Sequence, residues 1–367
     1  MAIEKLHITQ FLQHSKDAIL VDVRSPGEYT HAHIPGALNI PLFSDEERSL
    51  VGTAYKQVSR QQAIKLGLDF FGPKMREIVE SVEQMATTKE VSGFQAEAAL
   101  FTGNPVFIYC WRGGMRSAAV AWLLNLYGFS VTTLAGGYKA YRNHVLKTFE
   151  QPFQLNMLGG FTGSGKTELL KQLEKGGAPV IDLETIASHK GSAFGNINMP
   201  AQPSQEQFEN LLAGALWTKT PGGPEVNELP SEPIWVEDES QRLGHVNIPN
   251  AFWNTMRRSP VYFLEVPFEE RLKHLTEEYS KCDKERMLHA IDRISKRLGG
   301  LDAKLAKEAL LQNDFEGCFR VLLQYYDKHY LRGLHNRDNL PALLRVIKAH
   351  SVSTENTTLL LTKHQTV

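Results

Sequence analysis

Cysteine is scarce in this chain. Its 367 residues hold three, Cys110, Cys282 and Cys318, odd in number and widely spaced. Such a set builds neither a disulfide framework nor a zinc-ligand pattern, and it points to a reducing, cytoplasmic setting. Long hydrophobic runs are also missing. No segment approaches the roughly 18 apolar residues that a membrane-spanning helix needs. The opening residues, MAIEKLHITQFLQH, lack the apolar core of a secretory signal, so no membrane partner is expected. Net charge is nearly absent as well: 40 Lys and Arg stand against 41 Asp and Glu. That balance excludes a wholly basic, histone-like binder but not a local basic patch. What remains is an ordinary globular composition in a chain long enough for two domains, each with its own core.

One cysteine has a distinctive setting. Residues 106–117 read VFIYCWRGGMRS: an apolar run delivers Cys110 into a glycine-bearing loop, and an apolar segment that reads as a helix follows. A lone cysteine is ordinarily a small buried hydrophobe. A strand-to-helix turn changes that, because successive backbone N–H groups and the positive helix end converge on one point. This field lowers a thiol pKa, and Arg112 and Arg116 add positive charge beside Gly113 and Gly114. Around the loop, residues 8–14 read as a helix, 18–23 as a strand with Asp22, 25–28 and 31–41 as loops, and 45–86 as mostly helical. A strand at 130–134 and the segment AGGYKAYR follow. Continuous apolar strands alternating with helices imply a parallel α/β sheet, with chemistry at the carboxyl ends of its strands.

A new unit begins after Gln151-Pro152. Residues 153–158 read as a strand, followed by GGFTGSGKTELL. Gly160, four residues, then Gly165-Lys166-Thr167 fit the Walker A phosphate loop in its required strand-before, helix-after setting. Gly163 and Ser164 lie inside it; the backbone wraps an anion, Lys166 neutralises charge and Thr167 is placed for Mg²⁺. Two acidic strand ends, PVID with Asp182 and IWVEDE with Asp238, are candidates for metal or acid support. Residues 189–197 (HKGSAFGNI) form a loop suited to an anionic ligand, and 219–230 read as a flexible connection or lid. From Pro267 onward the chain reads as helices. Met287, Leu288, Ile291, Ile294 and Leu298 mark their core side. Arg286, Arg293, Lys296, Arg297, Lys304 and Lys307 form either a solvated face or an RNA-backbone stripe. Residues 351–367 suggest a last short strand and a frayed end.

VDVRSPGEY, HIPGALNIP, the strand-borne cysteine loop and LAGGYKAY, in this order, resemble a rhodanese domain over residues 1–146. In that family the cysteine carries sulfur as a persulfide. The loop departs from the usual one: five residues separate Cys110 from Arg116, one more than in ordinary sulfurtransferases. That spacing is seen in cysteine phosphatases, and a wider cradle suits a larger oxyanion or a selenium-sized atom. The pairing of YCWRGGMRS with GGFTGSGKTELL, VIDLETIASHKGSAFG and WVEDESQRLG resembles the tRNA 2-selenouridine synthase family over essentially the whole chain.

The resemblance implies a rhodanese-like parallel sheet domain and, over 152–367, a P-loop NTPase-like α/β domain with a helical C-terminal part. It implies a tRNA substrate bearing 2-thiouridine at the wobble position of the anticodon arm, and selenophosphate delivered by its supplier. It also implies geranyl diphosphate as co-substrate; in that reading ATP is not required, and the Walker loop leaves Mg²⁺ as an open option. Within it, Cys110 is the catalytic residue, its loop binds selenophosphate, and the Walker loop binds the diphosphate. The motifs alone leave two other readings open. One is an ATP-dependent kinase with a regulatory rhodanese domain; the other is a non-catalytic sulfur-relay adaptor.

Overall fold

The computed structural model describes residues 3–89, 105–221, 223 and 232–365. The chain forms two compact units that part between Thr148 and Phe149. In the first, strands β1 (Glu4–Leu6), β2 (Ile19–Asp22), β3 (Leu38–Asn39), β4 (Val106–Tyr109) and β5 (Val131–Leu134) make one sheet, ordered β1-β5-β4-β2-β3. Every pairing is parallel. β2 and β4 are buried along their whole length, which is why their sequences run apolar without alternation. Helices α1 (Ile8–His14), α2 (Pro26–His31), α3 (Asp45–Gln57), α4 (Arg60–Lys89), α5 (Met115–Tyr127) and α6 (Gly137–Thr148) complete the unit. Val120 and Leu124 of α5 join Ile19, Val21, Val106 and Ile108 in its core, each such side chain contributing about 1.5–3 kcal/mol on burial.

Two short elements lie within expected loops. Ser25-Pro26 opens α2, where the Glu28 carboxylate accepts the Ser25 N–H at 3.3 Å; proline at the first helical position is preset for the turn. Leu38–Asn39 adds the edge strand β3.

In the second unit, β6 (Leu155–Gly160), β7 (Val180–Ile181), β8 (Ile234–Glu237), β11 (Val261–Glu265) and β12 (Leu344–Lys348) form a second sheet, ordered β12-β11-β6-β8-β7. It too is parallel throughout. β9 (Arg242–Leu243) and β10 (Val246–Asn247) form a small antiparallel hairpin. The helices are α7 (Lys166–Lys175), α8 (Leu183–Ala187), α9 (Gln205–Thr218), α10 (Asn250–Arg258) and α11 (Phe268–Tyr279), then α12 (Lys284–Leu298), α13 (Gly300–Leu311), α14 (Phe315–His335), α15 (Leu340–Leu343) and α16 (Asn356–Gln365). Met287, Ile291, Ile294 and Leu298 pack against Phe319, Leu322 and Leu323, as their helical spacing predicts.

The C-terminal expectation is corrected. The last strand is β12, upstream of residue 351, and 356–365 is helical. β12 takes the parallel slot beside β11, and Leu360 of α16 is buried in the same core as Ile347. Arg257 and Arg258 close helix α10. Most of the segment 219–230 lies outside the described residues. Among the described residues, no helix is long and apolar enough to cross a membrane.

Candidate functional site

β4 ends at Tyr109, and the next residue, Cys110, sits where the chain turns toward α5. The thiol is buried. Its Sγ lies 3.2 Å from Ser117 Oγ, and the Gly114 N–H donates to it at 3.4 Å. Burial opposes ionisation, but contacts from the Ser117 side chain and backbone, the Arg116 charge and the Gly114 N–H outweigh it. The net effect holds the thiol below its ordinary value of 9.0. These contacts favour the thiolate, the nucleophilic form, more than in a free cysteine.

Arg116 is not a free charge: its guanidinium meets Glu28 at 2.7 Å. Arg112 is exposed. Gly113 and Gly137 press the cysteine loop against the turn after β5. A Cβ on Gly137, whose φ is +60°, would collide with the Cys110 carbonyl and the Gly113 N. The Tyr138 and Lys139 N–H groups donate to the Cys110 and Trp111 carbonyls at 2.8 and 3.0 Å. This explains why LAGGYKAY accompanies the cysteine loop. Below it, a buried Asp22–Arg24 pair at 2.6 Å lies under Tyr138, with the guanidinium 3.9 Å from the ring centroid.

In the second unit, Gly160, Gly163, Ser164, Gly165, Lys166 and Thr167 line a cleft of about 1110 Å³. β6 delivers the loop and α7 leaves it with its N-terminal N–H groups directed at the same space. Lys166 Nζ donates to the Gly160 carbonyl at 3.1 Å, and the buried Ser164 hydroxyl has no hydrogen-bond partner among the described residues. Distant residues hold the loop in shape. Arg271 donates to the Thr162 carbonyl at 3.1 Å while pairing with Asp327 at 2.8 Å. Tyr330 of α14 accepts the Gly160 N–H at 3.2 Å and donates its hydroxyl to Asp238 at 2.8 Å.

The acids sort differently from the sequence expectation. Asp182 caps α8, accepting the Thr185 N–H at 2.7 Å, as an aspartate before a helix does. It does not line the cleft; Glu184 does. Glu184 accepts the Thr167 hydroxyl at 3.1 Å. Asp238 gives one oxygen to Tyr330 and the other to Arg337, 2.5 Å away. It therefore acts on the loop through Tyr330. Glu237 is fully buried and accepts the Leu183 N–H at 2.9 Å; burial first, then Asp182 and Glu184, raise it well above the carboxylate range. Burial and the charges of Glu184 and Asp238 push Glu239 up to about 8 against the pull of Lys166. Among the described residues no cluster of three or more His, Cys, Asp or Glu could hold a metal by itself. Thr167 and Glu184 fit the other mode, in which Mg²⁺ sits on a phosphate ligand with one or two protein groups.

The 189–197 loop forms one wall of the cleft. Arg293 donates to the Ala193 carbonyl at 2.7 Å, and the Tyr326 hydroxyl accepts the Ala193 N–H at 3.2 Å. Lys190 pairs with Glu278 at 2.5 Å. Trp253, Leu275, Tyr279 and Leu334 add an aromatic and apolar surface to the same cleft.

Sequence reasoning missed several of these roles. Ser117 was legible as the third residue of the helix after the loop, where its hydroxyl reaches back toward Cys110. Glu184, three residues past the end of β7, gave a weaker signal. Asp327, Tyr330 and Arg337 gave none, because only the fold brings them beneath a loop some 170 residues upstream.

Comparison with known proteins agrees with this geometry. A family model described as "tRNA 2-selenouridine synthase AAA domain" matches residues 153–346, and one described as "Rhodanese-like domain" matches residues 8–144. A tRNA 2-selenouridine synthase of Nitrosomonas europaea is 33% identical over 369 residues, covering 88% of this chain and 90% of the relative. One from Serratia proteamaculans is 39% identical over 272 residues, covering 73% of this chain and 65% of the relative. One from Bordetella bronchiseptica is 34% identical over 348 residues, covering 86% and 88%. With a thiolate cradle in one unit and a phosphate loop in the other, matched along most of its length, the chain belongs to the tRNA 2-selenouridine synthase family.

Proposed function

We propose that this protein replaces the sulfur of 2-thiouridine, at the wobble position of tRNA, with selenium from selenophosphate, by way of S-geranylation from geranyl diphosphate. The observation that carries this reading is the presence in one chain of two different oxyanion cradles, one holding a stabilised thiolate and one opening on a partly apolar cleft.

The first step belongs to the phosphate loop. The thiocarbonyl sulfur attacks C1 of the geranyl group; the C–O bond breaks and pyrophosphate departs. Lys166 and the loop N–H groups stabilise the charge that develops on the leaving group. Trp253, Leu275 and Leu334 offer the isoprenoid chain an apolar wall. Mg²⁺ on the diphosphate would be held by Thr167 and Glu184 and would supply further charge neutralisation. S-Alkylation makes the sulfur a better leaving group.

The second step uses the cysteine loop. Selenophosphate is close to phosphate in shape. The N–H groups of Gly113 and Gly114, with Arg112 and the Glu28-oriented Arg116, suit its oxygens. Cys110 positions the selenophosphate, whose selenium attacks C2 of the base; the C2–S bond breaks, geranylthiol leaves, and water then cleaves the P–Se bond to release phosphate. A selenophosphate-producing enzyme is the implied supplier. The test is nucleoside mass analysis of tRNA from a strain lacking this protein. The expected result is loss of 2-selenouridine with 2-thiouridine retained; 2-selenouridine at its normal level overturns the proposal.

A further inference from the structure

Away from the phosphate loop, the cleft has a second rim of different chemistry. α14 presents Tyr325, His329 and Arg332 four and three residues apart, on one helix face, and α12 contributes Arg297. Tyr325, His329 and Arg297 line the cleft. The Tyr325 and His329 rings lie 4.4 Å apart, and Tyr325 rests 5.3 Å from Tyr326, which is itself fixed by its bond to Ala193. Tyr325 is half-buried, whereas His329, Arg297 and Arg332 are exposed.

Several cations of the neighbouring helical surface are matched by carboxylates: Arg320 by Glu269 and Glu316, Lys307 by Asp292, and Lys304 by Glu308. Among the described residues, neither Arg297 nor Arg332 pairs with a carboxylate. Both lie close enough to His329 to act on it. Burial first, then Arg332 and Arg297, lower its pKa, which favours the uncharged ring. Two unmatched guanidiniums flanking an uncharged aromatic pair complement a ligand made of anionic links and flat rings. Single-stranded nucleic acid has that construction: phosphates for the cations and bases for the rings.

We infer that the Tyr325–His329 rim is where the anticodon loop enters the cleft, with a base stacked on the ring pair and flanking phosphates on Arg297 and Arg332. This rests on the tRNA reading above. It also divides the basic stripe seen in the sequence. Arg293 serves the 189–197 loop, Lys304 and Lys307 are paired, and Arg297 works with residues of α14 that the stripe did not contain.

The test is binding of a synthetic anticodon stem–loop RNA, with 2-thiouridine at its wobble position, to the full chain over a series of salt concentrations. The double variant Arg297→Gln/Arg332→Gln should bind at least tenfold more weakly at low salt. Its plot of log affinity against log salt should flatten by about 1.4, the value for two single-strand phosphate contacts. Tyr325→Ala should lose roughly tenfold with the slope unchanged, and Tyr325→Phe should restore binding. All these positions are at the rim, and unchanged thermal unfolding midpoints establish that the variants are folded. If the wild type binds and the folded variants match it in affinity and slope, the rim assignment is wrong and the tRNA reading stands. If the wild type fails to bind the stem–loop, both fall.

Discussion

The two cradles are built on one plan and differ in what they hold and how far their bracing reaches, although Glu28 meets Arg116 of the first from 88 residues away. Each follows a buried parallel strand, turns through glycines and ends at a helix N-terminus, so each concentrates N–H groups on an anion. The cysteine loop puts a nucleophile inside that field, and its contacts to Ser117, Gly114 and the Gly136-Gly137 turn lie nearby in sequence. The phosphate loop holds no nucleophile. Its shape depends on Arg271 and Tyr330, over a hundred residues downstream. The difference is that the first cradle closes around a nucleophilic side chain of the enzyme, whereas the second leaves its space open to an anionic ligand.

The strongest way to break this comparison is Gly137→Ala. The added Cβ meets the Cys110 carbonyl, and the left-handed backbone alone costs about 1–2 kcal/mol. Selenation should be abolished while protection of the protein from heat by geranyl diphosphate persists; joint loss would mean that the two cradles are not independent. Next in size is Arg271→Ala. Leaving Asp327 without its partner should destabilise the second unit by about 3–5 kcal/mol, read by denaturant unfolding, and weaken geranyl diphosphate binding. Arg24→Ala should do the same to the first unit through Asp22 and leave that binding intact.

A smaller effect concerns pH. Glu239 is neutral below about 8 and ionised above it, so rising pH adds negative charge beside the phosphate loop. Affinity for geranyl diphosphate should fall as pH passes about 8, and Glu239→Gln should remove that step from a calorimetric titration. The smallest expected change is Ser117→Ala. Losing the Ser117 hydrogen bond should raise the Cys110 pKa, seen as a shift to higher pH in its alkylation rate; an unchanged profile would remove Ser117 from the account.

Much of this was legible in the sequence. Continuous apolar strands, GGFTGSGKTELL and YCWRGGMRS fixed the fold class and both loops, because strand burial and anion cradling are local properties. The supporting shell was not. Asp182 read as a metal acid, yet its place before a helix made it a cap, and Glu184 took the position beside Thr167. Asp238 does line the cleft, but through Tyr330 and Arg337, partners that no spacing rule connects. Likewise, only helix packing brings Arg297 to α14. Local chemistry is written in order along the chain; long-range bracing is written in the core.

The most direct measurement is mass analysis of nucleosides after 2-thiouridine tRNA is incubated with geranyl diphosphate, selenophosphate and either Cys110→Ala or Lys166→Ala. The account predicts that Cys110→Ala accumulates S-geranyl-2-thiouridine and makes no 2-selenouridine, while Lys166→Ala loses geranylation by roughly 100-fold or more. Loss of geranylation in Cys110→Ala would contradict the division of labour between the two cradles.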